Sequence, residues 1–179
     1  HPRQESSMNI IARCLLLLAA LSLSLPLFGP VSVAFAQDAK RGEYLAAAAG
    51  CRGCHTEEKK DATPYAGGSA LKTPFGSFYA PNITPHPQAG IGAWSDLDFV
   101  NAVMRGIGPD GSHLIPAFPY TSYAHMRMED VLDIRAYLAT LPAIKSPARE
   151  ADIPLAFILR RGTGLWKWLG FDETPWRPD

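Results

Sequence analysis

The chain has 179 residues, with 17 basic and 17 acidic side chains and a formal charge of zero. That balance, without a basic cluster or an acidic run, excludes nucleic acid as a partner and argues against a disordered charged tail. Three cysteines are too few for a scaffold held together by disulfides.

Residues 1–7 precede the first methionine and read as an upstream extension. From Met8 a short segment carrying Arg13 leads into an apolar run, Cys14 to about Phe28, and then into small residues ending Ala34-Phe35-Ala36. This is the layout of a secretory signal over 8–36, with cleavage expected between Ala36 and Gln37. The competing reading, a membrane anchor, meets Pro26, Gly29 and Pro30 within the run. Removing Arg3, Arg13 and Glu5 leaves the exported part within one charge of neutral. That part divides into a domain over 37–145 and an extension over 146–179.

Asp38 is placed to cap a helix over about Ala39 to Ala49, which Gly50 ends. Cys51-Arg52-Gly53-Cys54-His55 follows at once. Two thiols three residues apart on one helical turn can each add to a different vinyl group of a porphyrin. The next residue, His55, then supplies the proximal iron ligand, so the motif predicts covalent haem c attachment. A zinc site would need two more ligands at zinc-like spacing, and His86, His113 and His125 are scattered. A thioredoxin-type dithiol would need a βαβ setting, whereas Ala46 to Ala49 read as helix. A disulfide here would close too small a loop to stabilise much.

Residues 56–92, rich in Gly, Pro, Thr and Asn, read as an ordered loop around the cofactor rather than as strands. Ser95-Asp96-Leu97-Asp98 is a capping box opening a helix over about Asp96 to Arg105, with Phe99, Val100 and Val103 inward. Asp96, Asp98, Glu129 and Asp130 are helix-start acids, which the helix dipole favours. His113, beside a Gly-rich turn, reads as an exposed loop residue. A last helix over about Met128 to Leu141 points Val131, Ile134, Leu138 and Leu141 to one side, and Pro142 closes it. Helices at both ends of a haem-binding loop predict an all-α domain.

Lys40-Arg41-Gly42-Glu43-Tyr44-Leu45, Cys51 to Thr56, Thr73-Pro74-Phe75-Gly76 and Ala80-Pro81-Asn82-Ile83-Thr84 form an ordered set with Ile91-Gly92-Ala93-Trp94-Ser95 and Leu114 to Tyr123. With these stretches, residues 40–144 resemble the class I cytochrome c domains of the periplasmic multihaem subunits that serve alcohol, gluconate or aldehyde dehydrogenases. The resemblance implies a fold in which the first and last helices cross, Gly42 approaching near Tyr137, with loop 73–84 along the haem edge. It implies haem contacts from Asn82 and from Trp94, whose other reading is core packing. It also implies electron transfer in the periplasm, at a membrane-associated complex, with a dehydrogenase as donor and a downstream acceptor.

Two departures matter. Relatives often carry the sixth iron ligand as Met in Pro-x-Met-Pro-Tyr, and here that position is Phe118, which cannot ligate iron. Other branches share the Phe and have a Met matching Met126, a suitable soft ligand. Met128, His125 and a five-coordinate iron are the alternatives, and Met126 as a gap-filler is the plain one. A five-coordinate or weakly ligated iron would suit a catalytic or gas-binding haem. Secondly, only one Cys-x-x-Cys-His is present, which predicts one haem on this chain, whether as a monohaem protein or beside a haem domain on another chain. Residues 154–171 resemble an interdomain linker; their aromatic and basic side chains either pack on the domain or dock to a subunit or membrane surface. No acid–base pair or nucleophile set competes for a catalytic reading, so the chain reads as a carrier more than as an enzyme in its own right.

Overall fold

The computed structural model describes residues 37–74, 76–146, 148–153, 156–172 and 174. The extension 1–7, the signal segment 8–36, and Phe75, Pro154 and Leu155 lie outside the described residues. Helix α1, Ala39–Ala48, starts where the Asp38 carboxylate accepts from the amides of Lys40 and Arg41 at 2.9 and 3.0 Å. Its buried residues, Gly42 and Ala46, are small, and that lets helix α5, Met128–Ala139, lie directly across it. A Cβ on Gly42 would come 1.8 Å from the Asp133 carbonyl oxygen.

The buried Asp133 carboxylate fixes this crossing. It accepts from the Asp38 amide at 2.7 Å and from the Arg41 guanidinium, which also reaches Asp130. The close approach is therefore at Asp133, not at Tyr137 as the resemblance implied. Tyr137 lies one turn further on and packs edge-to-face on Tyr65, ring centres 6.0 Å apart. The register is set where a buried acid meets the N-terminus of α1, and Tyr137 is carried past it.

Val131, Ile134 and Leu138 of α5 join Ala46, Tyr65, Ile91, Phe99 and Val100 in the core. Full burial of a side chain such as Leu138 or Val131 contributes about 1.5–3 kcal/mol. Leu141 and Val103, expected inward, are half-buried at the edge of this cluster.

Helix α2, Cys51–Cys54, is a single turn entered through Gly50 at φ +72°. Beyond it the loop contains an antiparallel hairpin, β1 Ala70–Thr73 and β2 Gly76–Tyr79, pairing Leu71 with Phe78 and Thr73 with Gly76. The domain is thus mostly helical with a small sheet, and the expectation of an all-α fold without strands is corrected. Each strand is four residues long, too short to show alternation in sequence. What holds the pair is tertiary: Ser77 exchanges two backbone bonds with Asp152, 3.3 and 2.9 Å long, against a glycine, Gly76, at φ +128°.

Helix α3, Asp96–Val100, has the full capping box, with Ser95 and Asp98 bonded reciprocally. It does not continue as α-helix to Arg105; residues Asn101–Arg105 form a π-helical turn. Gly106 ends that turn at φ +58°, and a Cβ there would strike the Tyr120 ring at 2.4 Å. The single-turn helix α4, Tyr120–Tyr123, and the long helix α6, Ala156–Gly170, complete the described elements. Among the described residues no helix is long and apolar enough to cross a membrane.

Candidate functional site

Cys51 and Cys54 sit at the two ends of α2 with free thiols, Cys51 half-buried and Cys54 exposed. Burial pushes the Cys51 thiol pKa up. His55 caps the turn, its amide donating to the Cys51 carbonyl at 3.0 Å. Its side-chain Nδ1 donates to the Pro81 carbonyl oxygen at 2.8 Å. That bond assigns the tautomer: Nδ1 carries the proton and Nε2 is the nitrogen with a lone pair for a metal. Burial pulls the imidazole pKa below its ordinary value, against the opposing pull of the Pro81 bond. That direction favours the neutral ring, the form in which an imidazole ligates a metal.

Pro81 is brought to His55 by backbone bonds. Gly67 N donates to His55 O at 2.9 Å, Gly68 N to Ala80 O at 2.9 Å, and Ile83 N to Tyr65 O at 3.0 Å. Gly67, at φ +80°, leaves no room for a side chain, since a Cβ would come 2.7 Å from the Pro81 carbonyl carbon. Tyr65 is buried with a positive φ of 62°. Burial and then a hydrogen bond with Tyr137 push its phenol pKa well up. Across the motif, Tyr123 Oη donates to the Ala49 carbonyl oxygen at 2.7 Å. Burial first, then Cys51 and Cys54, raise its pKa. Pro81, Gly67, Tyr65 and Tyr123 were not singled out as site residues from sequence; the positive-φ geometry around Gly67 has no local signature beyond the Gly67-Gly68 pair.

The other predicted residues are placed as follows. Asn82 is 5 % exposed, and its amide donates to Ile144 O at 2.7 Å and accepts from Thr84 N and Oγ1 at 2.8 and 2.7 Å. Trp94 is half-buried against the core, and its carbonyl accepts from Arg135. Arg135 Nε, buried, stands 3.2 Å from Asp96 Oδ1 as an ion pair without hydrogen-bond alignment. Met126 is half-buried and packs on the core cluster together with Met104. Met128 is 51 % exposed at the start of α5, and the exposed His125 ring donates to the Thr174 carbonyl. Phe118 lies in an aromatic group with Tyr123 and Tyr120, at 5.8 and 6.4 Å between ring centres. His113 is not an exposed loop residue: it is half-buried, packed on Gly164 of α6 and 3.4 Å from Lys167 Nζ. Gly164 and Lys167, some fifty residues further along the chain, cover it, which a local reading could not show. Among the described residues no three His, Cys, Asp or Glu side chains gather as a metal site, so the cysteine pair has no zinc-like ligand set around it.

Helix α6 packs one side on the domain through Thr163, Gly164 and Lys167, while Leu165, Trp168 and Leu169 stay exposed.

Residues 39–142 match the cytochrome c family. The chain belongs to that family. This cytochrome c domain is 42 % identical over 137 residues to a protein of Cereibacter sphaeroides described as "Diheme cytochrome c-type", an alignment covering 74 % of this chain and 46 % of that protein. It is 40 % identical over 128 residues to the fructose dehydrogenase cytochrome subunit of Gluconobacter japonicus, covering 71 % of this chain and 26 % of the relative. The gluconate 2-dehydrogenase cytochrome c subunit of Pantoea cypripedii is 40 % identical over 129 residues, with coverages of 72 % and 29 %. The chain spans less than half the length of each of these relatives. Membership in the cytochrome c family implies covalently bound haem c.

The residues present fit that group. Two free thiols at the ends of one helical turn precede a histidine whose metal-binding nitrogen is left open by its Pro81 bond.

Proposed function

We propose that this cytochrome c domain carries electrons one at a time in the periplasm, as the cytochrome subunit or partner of a dehydrogenase. Haem c, when bound, supplies a one-electron iron couple. The chain's own residues do the rest. Cys51 and Cys54 would hold one haem covalently, and His55 Nε2 and Met126 would ligate its iron. The Pro81 carbonyl keeps the imidazole oriented and electron-rich, which would favour ferric iron, while a thioether ligand would raise the potential.

The observation that carries this reading is the His55 Nδ1–Pro81 O bond of 2.8 Å directly after a paired-thiol turn. It supplies the hydrogen bond to the far ring nitrogen that haem and other metal-ligating histidines have. Dehydrogenase association is supported by the names of the relatives, which are subunits serving fructose and gluconate oxidation. Export is supported by the signal-like segment 8–36.

The test is optical. The purified ferric protein should show the weak red-edge charge-transfer band of methionine-ligated haem, and its ferrous form should not bind carbon monoxide. Met126→Ala should abolish the band and admit carbon monoxide. A wild-type protein that binds carbon monoxide at once would instead establish an open iron and a gas-binding or catalytic role. Cys51→Ser or Cys54→Ser should leave a haem held by a single thioether, seen as a shifted pyridine haemochrome.

A further inference from the structure

We propose that residues 163–172, with Thr174, act as a strap that fixes the loop 113–126 and thereby holds Met126 on the iron; the iron part of this proposal rests on the ligand assignment above. Apart from Tyr123 Oη on Ala49 O at 2.7 Å and Leu114 N on Gly106 O at 2.8 Å, the loop has little regular structure of its own. Its one helix, α4, is a single turn without a side-chain cap, far below the length at which a helix is stable by itself. The last turn before Met126 is closed by the Met126 amide donating to Tyr123 O at 3.0 Å.

Three points of this loop are gripped by the C-terminal segment. At its start, His113 lies against Gly164, where a Cβ would come 2.7 Å from His113 Nε2. At its middle, the Tyr120 ring has Lys167 Nζ 4.5 Å from its centre and Phe171 edge-on at 5.5 Å. At its end, His125, next to Met126, donates to Thr174 O. Lys167 also donates to Arg105 O and to Gly106 O, the latter at 2.7 Å, so one ammonium ties the end of the π-helical turn to the ring that packs on it. Trp166 backs Phe171 at 5.9 Å. A side chain that grips three segments at once restricts their relative movement, and a loop that opens less often spends less time with its ligand away from the metal.

The experiment uses the full holo chain with Phe171→Ala and Lys167→Met, each beside the conservative Phe171→Tyr and Lys167→Arg. Amide hydrogen exchange across 113–126 should speed up in the first two and return toward wild type in the conservative pair. Carbon monoxide should bind the ferrous form on the order of tenfold faster, in proportion to the open fraction, and the methionine charge-transfer band should weaken while far-ultraviolet dichroism is unchanged. Wild-type exchange across 113–126 in both Phe171→Ala and Lys167→Met overturns the strap, whatever ligates the iron. Faster exchange with an unaltered band overturns its coupling to iron. A band that survives Met126→Ala overturns the ligand assignment, and the exchange result then stands for the loop alone.

Discussion

His55 Nδ1 and the Pro81 carbonyl oxygen are 2.8 Å apart, and Gly67 is the residue that makes that distance attainable. A methyl group on Gly67 would meet the Pro81 carbonyl carbon and the Asn82 nitrogen, each at 2.7 Å, from a backbone already at φ +80°. Gly67→Ala should therefore cost about 1–3 kcal/mol in backbone strain and push Pro81 away from the imidazole. The weaker bond leaves the imidazole a poorer donor to ferric iron, so the reduction potential should rise. Voltammetry of the variant checks this; an unchanged potential would show that Pro81 follows His55 without help from Gly67.

The α1–α5 crossing should be as sensitive as any site in the domain. Gly42→Ala places a carbon 1.8 Å from Asp133 O, so the helices must part and the buried Asp133 bonds must stretch. Overpacking of this kind typically costs 1–3 kcal/mol, and we expect about 3 kcal/mol here. Denaturant titration measures it, with the visible spectrum of any folded fraction little altered.

Acid should weaken the same crossing. Burial pushes the Asp130 carboxyl pKa up, but hydrogen bonds from Arg127 and Arg41 outweigh it and hold the group below its ordinary value. The unfolded chain then takes up this proton first as pH falls. The stability from Asp130 is full above its unfolded pKa of about 4 and is lost as pH drops through the folded value. Asp130→Asn should lower stability at pH 7 and flatten the acid limb of the stability–pH curve, as thermal melts between pH 7 and pH 3 would show.

Asn82 separates two roles by their readouts. Its amide joins Thr84 to Ile144, beyond α5. Asn82→Ala should leave the buried Thr84 amide without its acceptor and cost about 1–3 kcal/mol, measured by thermal melts. If Asn82 acts only as this clamp, the potential stays put; a shift in the haem spectrum or potential would mark it as a haem contact as well.

What could be read in advance follows from the range of the interactions concerned. The Asp38 cap, the Ser95–Asp98 box and the inward Val131, Ile134 and Leu138 of α5 are local patterns, and each is found where it was expected. Cys51-Arg52-Gly53-Cys54-His55 is legible from its spacing, because the proposed attachment and ligation would both fall within one turn. The hairpin 70–79 was not legible, since its strands are short and its support comes from Asp152, far along the chain. The π-helical turn at 101–105 was not legible either; the ring of Tyr120 seated on Gly106 belongs to a later segment.

The sequence by itself determined the two thiols, the histidine that follows them and the helices on either side of the loop. Only the tertiary structure decided which carbonyl faces His55, that the first and last helices of the domain meet at Asp133, and that α6 folds back over Tyr120 and His113. The reason is physical. Caps, turns and attachment motifs are satisfied by neighbours a few residues away, whereas a close approach depends on which distant backbone has room to come near, and that room is left by glycines such as Gly42, Gly67 and Gly106.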